Sequence, residues 1–241
     1  MLYILFSPSE GKNQGGISQP LKVFGNLLKR EEILKKYNQI IFSKDQEAIK
    51  NLFGFKKFDE CQNYIQDIYQ PPTMKAVQRY QGVAYDYLQY QTLDSDAKKF
   101  IDQHTIIFSN LFGPLYANDM IPMYKVKQGN AIGDIKPEEF YKKNLTQELD
   151  TLLENNEILD LRAGYYNKFY KLKHFTTLKF LKNNKVVSHW AKAYRGIVLK
   201  EIAKKQLHSI DEIIKMEIEN LIVKEIKQTK NKTEIVYEII S

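Results

Sequence analysis

The sequence predicts a mixed α/β (α+β) fold in which helices surround a mixed sheet within one domain spanning residues 1–241. Short apolar runs such as Leu2–Phe6 have the length of buried strands, whereas longer segments carry apolar residues three or four positions apart, as helices do. The two kinds of segment do not alternate strictly, which favours a mixed sheet over a purely parallel βαβ array. No repeat or linker divides the 241 residues, which suffice for one large core.

The first half of the chain is predicted to be mainly helical after one strand. Leu2–Phe6 ends at a Ser-Pro pair, which indicates a buried strand that enters a loop over Ser7–Pro20. Helical spacing of apolar residues then follows in four segments: Val23–Lys36, Asp45–Leu52, Asp59–Tyr69 and Thr73–Arg79. A further helix, capped by Asp94 or Ser95, is expected to end at Gln103.

The middle of the chain is predicted to alternate between strands and a helix. Thr105–Phe108 and Met120–Lys127 are expected to be buried strands, as is Glu157–Leu161. Between them, Pro137 and two glutamates are typical of a helix N-terminus, and that helix is predicted to run to about Asn155.

The last third is predicted to contain two β-hairpins and two helices. The first hairpin has Phe175–Leu181 and Val186–Trp190 around an Asn-Asn turn, and the last has Leu221–Lys227 and Thr233–Ile240. Between the hairpins, Ala191–Leu207 has the pattern of an amphipathic helix. The four residues beginning at Ser209 form a capping box for another helix.

Composition favours a polyanionic partner and excludes several classes of protein. Lys and Arg outnumber Asp and Glu by 36 to 29, a net charge of +7, although an AT-rich genome also enriches lysine. A single cysteine excludes an internal disulfide and a thiolate metal cluster. We expect a cytoplasmic protein without a membrane partner, because neither a signal peptide nor an apolar run of about 18 residues is present. The histidine spacing predicts no metal site, and we expect no cofactor.

The first candidate motif is the loop Ser7-Pro8-Ser9-Glu10-Gly11-Lys12, which follows the first strand. Backbone N–H groups, the hydroxyls of Ser7 and Ser9, and the Lys12 ammonium would together suit a phosphate. The spacing differs from that of a Walker A loop. The alternative is an exposed turn with a surface lysine.

The second motif is Tyr80-Gln81-Gly82-Val83-Ala84-Tyr85-Asp86. Gly82 permits a close backbone approach, and Tyr85 can stack on a ligand or donate a hydrogen bond to it. The alternative is that Tyr85 is a half-buried aromatic residue of the fold.

The third motif, Ser109–Tyr116, has the pattern of a hairpin that binds one DNA phosphate through backbone N–H groups, as in a helix-hairpin-helix element. Asn110 stands where the first glycine of such a hairpin would be, and Gly113 is the second. Asn tolerates the left-handed conformation better than most residues do. The alternative is a tight turn whose Phe112 and Leu115 pack in the core.

The fourth motif places two charged residues, Asp160 and Arg162, at the end of a buried strand. Charges are rarely buried there unless they are paired or used in function. The alternatives are therefore a structural ion pair and a site in which Arg162 binds phosphate and Asp160 is catalytic.

The fifth motif, Ser188–Gly196, begins a helix that carries Lys192 and Arg195. The helix dipole and the two cations would add to form an anion site. The alternative is a solvated basic face.

Taken in this order, the segments resemble the YaaA family of peroxide-stress proteins. The matching segments are the opening loop through Lys12, Tyr80–Tyr85, Leu111–Gly113 with Ile121–Lys125, Asp160–Tyr166 and Lys192–Gly196. The resemblance implies a cytoplasmic protein that limits DNA damage under oxidative stress. It also implies a single domain of uncommon topology, a basic cleft that binds DNA, and a helix-hairpin-helix-like element over Ser109–Leu115. Asn110 departs from the family pattern Ser-Gly-Leu-Tyr-Gly, and the opening loop departs from members that have Ala-Lys-Thr there.

Two functions follow as hypotheses. The first is binding of DNA, duplex or distorted, with Lys and Arg on phosphates and tyrosines such as Tyr85 and Tyr124 on bases. The second is an enzyme acting on a nucleotide or nucleic acid, with catalytic candidates Glu10, Lys12, Tyr85 and Asp160. A long open groove would favour DNA, whereas a closed pocket of several hundred cubic ångströms would favour a small substrate. In both, Glu10 and Lys12 are expected to share a cleft with Arg162 and Lys192.

Overall fold

A computed structural model describes residues 1–187 and 189–240, without the side chain of His189. The strands are β1 (Leu2–Phe6), β2 (Gly11–Lys12), β3 (Thr73–Lys75), β4 (Tyr80–Gln81), β5 (Thr105–Ser109), β6 (Gly113–Tyr116), β7 (Met120–Pro122), β8 (Glu157–Asp160), β9 (Phe175–Lys182), β10 (Lys185–Val186), β11 (Leu221–Gln228) and β12 (Lys232–Ile239). The α-helices are α1 (Glu31–Ile41), α2 (Gln46–Phe53), α3 (Ala76–Arg79), α4 (Val83–Leu88), α5 (Ser95–His104), α6 (Pro137–Leu153), α7 (His189–Lys205) and α8 (Ile210–Lys215). Short 3-10 turns cover Leu27–Arg30, Phe58–Tyr64, Tyr90–Thr92 and Gly164–Lys168.

The main sheet is mixed and has the strand order β11-β12-β9-β8-β1-β5-β6, with β10 paired to β9. Five neighbouring strands, β12, β9, β8, β1 and β5, are parallel, while β6, β10 and β11 are antiparallel additions at or near the edges. The predicted fold class, a mixed sheet with helices around it, is therefore confirmed.

The order of the parallel strands creates a crevice between β1 and β8. From β1 the chain passes to β5 on one side, and it then returns to β8 on the other side of β1. Ligands of open α/β sheets bind outside the carboxyl ends of the strands where the direction of winding reverses in this way. The carboxyl ends of β1 and β8 are therefore the place where the fold itself predicts a binding site.

Local sequence explains several element boundaries. Asp45, Asp94 and Ser209 each accept a backbone hydrogen bond as N-caps of α2, α5 and α8, and Glu212 completes the predicted capping box. Asn183 and Asn184 both have positive φ, as the turn of the β9–β10 hairpin requires. The capping and turn residues thus fix where these elements start and stop.

Two predicted elements differ from the structure because their backbone groups have other partners. Thr73–Arg79 is not one helix, since Thr73–Lys75 pairs with Met120–Pro122 before α3 begins. The strand predicted over Met120–Lys127 ends at Pro122, after which the Lys125 N–H donates to the Tyr37 hydroxyl.

The second hairpin strand predicted over Val186–Trp190 is likewise short. It is reduced to Lys185–Val186, and α7 begins at His189. Within that prediction, Ser188 lies outside the described residues.

Two predicted helices are shorter or tighter than expected. Val23–Lys36 becomes a 3-10 turn followed by α1, and Asp59–Tyr69 becomes a 3-10 helix over Phe58–Tyr64. At the start of the first segment, the Lys22 N–H donates to the Met120 carbonyl and the Phe24 N–H donates to the Asp119 carboxylate. These tertiary contacts override the apolar spacing at the start of that segment.

The prediction of a helix-hairpin-helix element at Ser109–Leu115 is wrong. The segment is a β-hairpin between β5 and β6, and the Ser109 hydroxyl already accepts from the N–H groups of Leu111 and Phe112 at 3.1 and 2.9 Å. Phe112 and Leu115 are fully buried, as the alternative interpretation predicts. The hairpin belongs to the core and offers these two N–H groups to no ligand.

Candidate functional site

A cavity of about 430 Å³ lies at the carboxyl ends of β1 and β8. Phe6 and Ser7 line it from the end of β1, and Leu161 and Ala163 line it from the segment after β8. The opening loop, the start of α4, the first two turns of α7, Gln128 and Tyr166 form the rest of its wall. The cavity therefore occupies the crevice that the strand order creates.

Six of the residues predicted from sequence line this cavity: Ser7, Ser9, Glu10, Tyr85, Lys192 and Arg195. They come from three separate segments of the chain, which the fold brings together. The structure places the other predicted residues behind the wall of the cavity or in the core.

Ser7 joins two walls of the cavity. Its hydroxyl accepts a hydrogen bond from the N–H of Ala163 at 2.8 Å, and its carbonyl accepts one from the Tyr85 hydroxyl at 2.8 Å. Tyr85 also packs edge-on against Phe6. Ser7 and Tyr85 therefore fix the opening loop relative to α4 and to the end of β8.

Gly82 allows the opening loop to approach α4. Its φ is +142°, and a Cβ at this position would lie 2.7 Å from the Ser9 hydroxyl. The loop is also tied to this segment by the pairing of β2 with β4, which aligns Lys12 with Tyr80. The predicted close approach at Gly82 is thus the contact between the first and second motifs.

Glu10 is a half-exposed carboxylate that is held from one side. Its carboxylate accepts from the backbone N–H of Gln128 at 3.1 Å, and Lys125 Nζ lies 3.4 Å from the other carboxylate oxygen. The same ammonium is 3.4 Å from the Glu10 carbonyl. The carboxylate therefore has a defined position on the cavity wall with room for a further partner.

Lys12 lies beneath the opening loop in an aromatic box. Its Nζ is 4.3 Å from the ring centre of Tyr124 and 5.3 Å from that of Tyr80. It donates to the carbonyls of Ser9 and Glu10 at 3.1 and 3.3 Å. Burial, together with repulsion from Lys125, lowers the pKa of Lys12 from 10.5 to about 7, against the opposing effect of Glu10.

Arg195 and Lys192 bring positive charge to the cavity from α7. Lys192 is exposed and Arg195 is half-buried. In the described part of the chain neither side chain forms a hydrogen bond or an ion pair. Burial lowers the pKa of Arg195, while the carboxylate of Asp160 raises it. A desolvated, unpaired guanidinium on a cavity wall is well suited to bind an anion.

Asp160 and Arg162 form a buried bidentate ion pair beside the cavity. The Arg162 Nε and one terminal nitrogen lie 2.8 and 3.0 Å from the two carboxylate oxygens. The other terminal nitrogen donates to the carbonyls of Tyr166 and Tyr170, at 3.3 and 3.2 Å. This is the structural pair that the sequence left as an alternative, and Arg162 presents no free donor to a phosphate here.

Asn110 and Gly113 do not reach the cavity. The side-chain amide oxygen of Asn110 accepts from the Tyr166 hydroxyl at 3.1 Å, and Gly113 packs against the ring of Tyr141. Tyr166 itself lines the cavity, so Asn110 supports the site from behind.

The sequence reasoning missed Lys125 and Gln128, which hold Glu10. It named Tyr124 as a residue that stacks on bases, whereas the structure buries Tyr124 beneath Lys12 in a hydroxyl chain with Tyr80 and Ser109. The Tyr124 hydroxyl is 2.7 Å from that of Tyr80 and 2.8 Å from that of Ser109. The segment Ile121–Lys125 was matched to the family pattern, and that match was the available signal for Tyr124 and Lys125.

The four residues that were expected to share one cleft therefore occupy different places. Glu10 and Lys192 share the cavity, Lys12 contacts the Glu10 carbonyl from below, and Arg162 is committed to Asp160. Over residues 1–187 and 189–240, no cluster of three or more His, Cys, Asp or Glu side chains is arranged to hold a metal ion. Within the same ranges, no helix has the length and apolarity needed to cross a membrane.

Comparison with known proteins gives a consistent result over almost the whole chain. A family model described as peroxide stress protein YaaA matches residues 1–227. An uncharacterized protein of Campylobacter jejuni is 46% identical over 243 residues, covering 98% of this chain and 99% of that protein. UPF0246 proteins of Corynebacterium glutamicum and Fusobacterium nucleatum are 29% and 25% identical, covering 88% and 95% of this chain and 90% and 96% of their own lengths.

Proposed function

Since the chain belongs to the family of the peroxide stress protein YaaA, we propose that it acts in the cytoplasm under peroxide stress. It does so by binding a phosphate-bearing nucleotide unit in the cavity between β1 and β8. The ligand is a free nucleotide or one unit of a nucleic acid. The observation that carries the proposal is the unpaired Arg195 guanidinium, which faces the cavity together with Lys192.

The size of the cavity favours a small ligand. Pockets for small molecules and cofactors have volumes of about 300–1,000 Å³, and this cavity has about 430 Å³. A cavity of that volume suits one nucleotide unit better than the side of an intact duplex. The cations on α7 supply charge for the phosphate, and the largely buried rings of Tyr85 and Tyr166 form part of the same wall.

Binding of DNA, duplex or distorted, is a second candidate, favoured by the net charge of +7. DNA carries many phosphates, so its affinity should fall steeply with salt, with a slope of roughly −3 to −4 in log–log units if about four phosphates are neutralised. A mononucleotide contacts fewer phosphates and should show a shallower slope.

A catalytic role is a third candidate, favoured by the chemistry around Glu10 and Lys12. The carboxylate lies on the wall, and the pKa of Lys12 is lowered to about 7, close to the range in which a general base works best. In that case Lys12→Ala should abolish turnover of the bound nucleotide while leaving the fold intact.

The test is a binding screen at two salt concentrations. Duplex, bulged and single-stranded DNA and the common nucleotides are titrated into the full chain, and each positive ligand is repeated with Arg195→Ala. We expect at least one ligand to bind and to lose affinity in the variant. Failure of every phosphate-bearing ligand, or equal affinity in the variant, would contradict the proposal. A DNA affinity independent of salt would exclude the second candidate.

A further inference from the structure

A second depression in the surface, which we call the basic groove, lies next to the cavity. It has a volume of about 780 Å³ and runs between the C-terminal part of α2 and the segment at residues 127–133. Three lysines, Lys50, Lys56 and Lys127, line it, and its lining residues include no aspartate or glutamate. An acid-free surface with three lysines has the charge that a polyanion requires.

Two of these lysines are available to a ligand. Lys50 is 2.6 Å from the carboxylate of Glu47, whereas Lys56 and Lys127 form no ion pair within residues 1–187 and 189–240. Both free lysines are exposed. The groove therefore keeps two uncompensated positive charges, in contrast to the many surface lysines that are paired.

Lys127 is held in place over Gly54. The backbone N–H of Lys127 donates to the Leu52 carbonyl at 3.1 Å, and the lysine stem lies so close to Gly54 that a Cβ there would overlap it. Gly54 has a φ of +77° and caps the C-terminus of α2. The fold thus anchors the base of this side chain, which lowers the entropy cost of using its ammonium.

The basic groove and the cavity share one wall. Gln128 lines the cavity and donates its backbone N–H to Glu10, while its neighbours Lys127 and Gly129 line the groove. Lys125 bridges the two in the same way, because its ammonium contacts Glu10 and lies 5.3 Å from the ring centre of Phe55 in the groove. A chain-like ligand that leaves the cavity past this wall enters the groove directly.

We propose that the basic groove binds the backbone phosphates of a single nucleic-acid strand whose adjoining nucleotide occupies the cavity. This inference rests on the proposed function, since it takes the cavity as the nucleotide site. Lys56 and Lys127 each neutralise one phosphate of the strand. The groove makes no contact with an isolated mononucleotide in the cavity, so it selects polymeric over monomeric ligands.

The experiment compares two ligands on one variant. A fluorescent single-stranded oligonucleotide of about 12 nucleotides, as DNA and as RNA, and the matching mononucleotide are titrated into the full chain and into Lys56→Gln/Lys127→Gln. For the oligonucleotide we expect an affinity loss on the order of tenfold near 0.1 M salt. The log–log salt slope should also become shallower by about 1.4, at about 0.7 per single-strand phosphate.

The control removes two lysine charges at the opposite end of the parallel strands. Lys215 and Lys230 are exposed and lie towards the amino ends of the parallel strands, and Lys215→Gln/Lys230→Gln should leave both affinities unchanged. Unchanged oligonucleotide binding in the groove variant, or equal losses in groove and control variants, would overturn the inference. Loss of mononucleotide binding in the groove variant would overturn it as well.

The outcomes for Arg195→Ala and for the groove variant distinguish a failure of the groove from a failure of the cavity. Arg195→Ala should weaken both ligands, because the cavity binds the nucleotide unit in each case. If the mononucleotide binds and depends on Arg195 while the groove variant has no effect, only the groove is excluded. If neither ligand responds to Arg195→Ala, the cavity itself is excluded.

Discussion

Gly196 on α7 packs directly on the carbonyl oxygen of Ala84 in α4. A Cβ built on Gly196 would overlap that oxygen and would lie 3.0 Å from the backbone nitrogen of Leu88. The two helices can approach this closely only because position 196 has no side chain. Since Arg195 precedes this contact and Ala84 lines the cavity, the glycine sets the distance across the site.

Gly196→Ala should therefore push α7 away from α4. We expect a loss of about 1–3 kcal/mol in the free energy of unfolding, as for other insertions into tightly packed contacts, together with weaker ligand binding because Arg195 moves. Urea denaturation and ligand titration measure the two effects. Gly164→Ala is the matched control, because a Cβ at Gly164 meets no atom within 4 Å. Equal stability of the two variants would contradict the proposed close contact.

The Asp160–Arg162 pair should behave as a structural unit. Removing one charge of a buried pair leaves the other uncompensated and costs about 3–5 kcal/mol, so Asp160→Asn should lower the free energy of unfolding by that order. The exposed pair of Lys136 and Glu139 provides the control, since Glu139→Gln should cost less than about 1 kcal/mol. An Asp160→Asn protein that keeps full stability but loses turnover would instead assign a catalytic role to the carboxylate.

Sequence reasoning was most successful where local chemistry determines the structure. The buried strand Leu2–Phe6, the N-caps at Asp45 and Asp94, the capping box at Ser209 and the Asn-Asn turn were all predicted from a few neighbouring residues. It failed where distant partners decide. Thr73–Lys75 has helical spacing of apolar residues, yet it pairs with a strand more than forty positions away.

The same distinction applies to the candidate site. Polar residues at the ends of β1 and β8 could be recognised because strand ends are visible in the sequence. The support of Glu10 by Lys125 and Gln128 could not be, since it depends on contacts 115 and 118 positions apart. Nor could the sequence distinguish Arg162, which is saturated by Asp160 and carbonyl groups, from Arg195, which faces the cavity.

Arg195 should be the main determinant of phosphate affinity. Hydrogen bonds to charged groups contribute about 1.5–3 kcal/mol, so Arg195→Ala should weaken the nucleotide by roughly 10- to 150-fold. Lys192 is exposed and should contribute less. Isothermal titration calorimetry against the nucleotide identified in the screen measures the change. Lys200→Ala, on α7 but outside the cavity, is the control. A similar loss in both variants would indicate a general charge effect.

Lys12 should make the stability of the protein depend on pH in a characteristic direction. Its pKa is about 7 in the folded protein, because of burial and of Lys125, against about 10.4 for an unfolded lysine. Between these values the unfolded chain binds more protons than the folded one, so stability rises with pH. Below about pH 7 both states carry the proton, and the contribution of Lys12 no longer changes.

Lys12→Met isolates this contribution. Urea denaturation of the wild type and the variant from pH 6 to pH 10 should show the wild type gaining free energy of unfolding relative to the variant above about pH 7, by up to about 1.4 kcal/mol per pH unit for one proton. Lys230→Met controls for the removal of one charge. Parallel curves for the wild type and Lys12→Met would mean that the aromatic box of Tyr80 and Tyr124 leaves the ammonium ordinarily basic. In that case Lys12 would remain charged at neutral pH and would support the site as a cation rather than as a base.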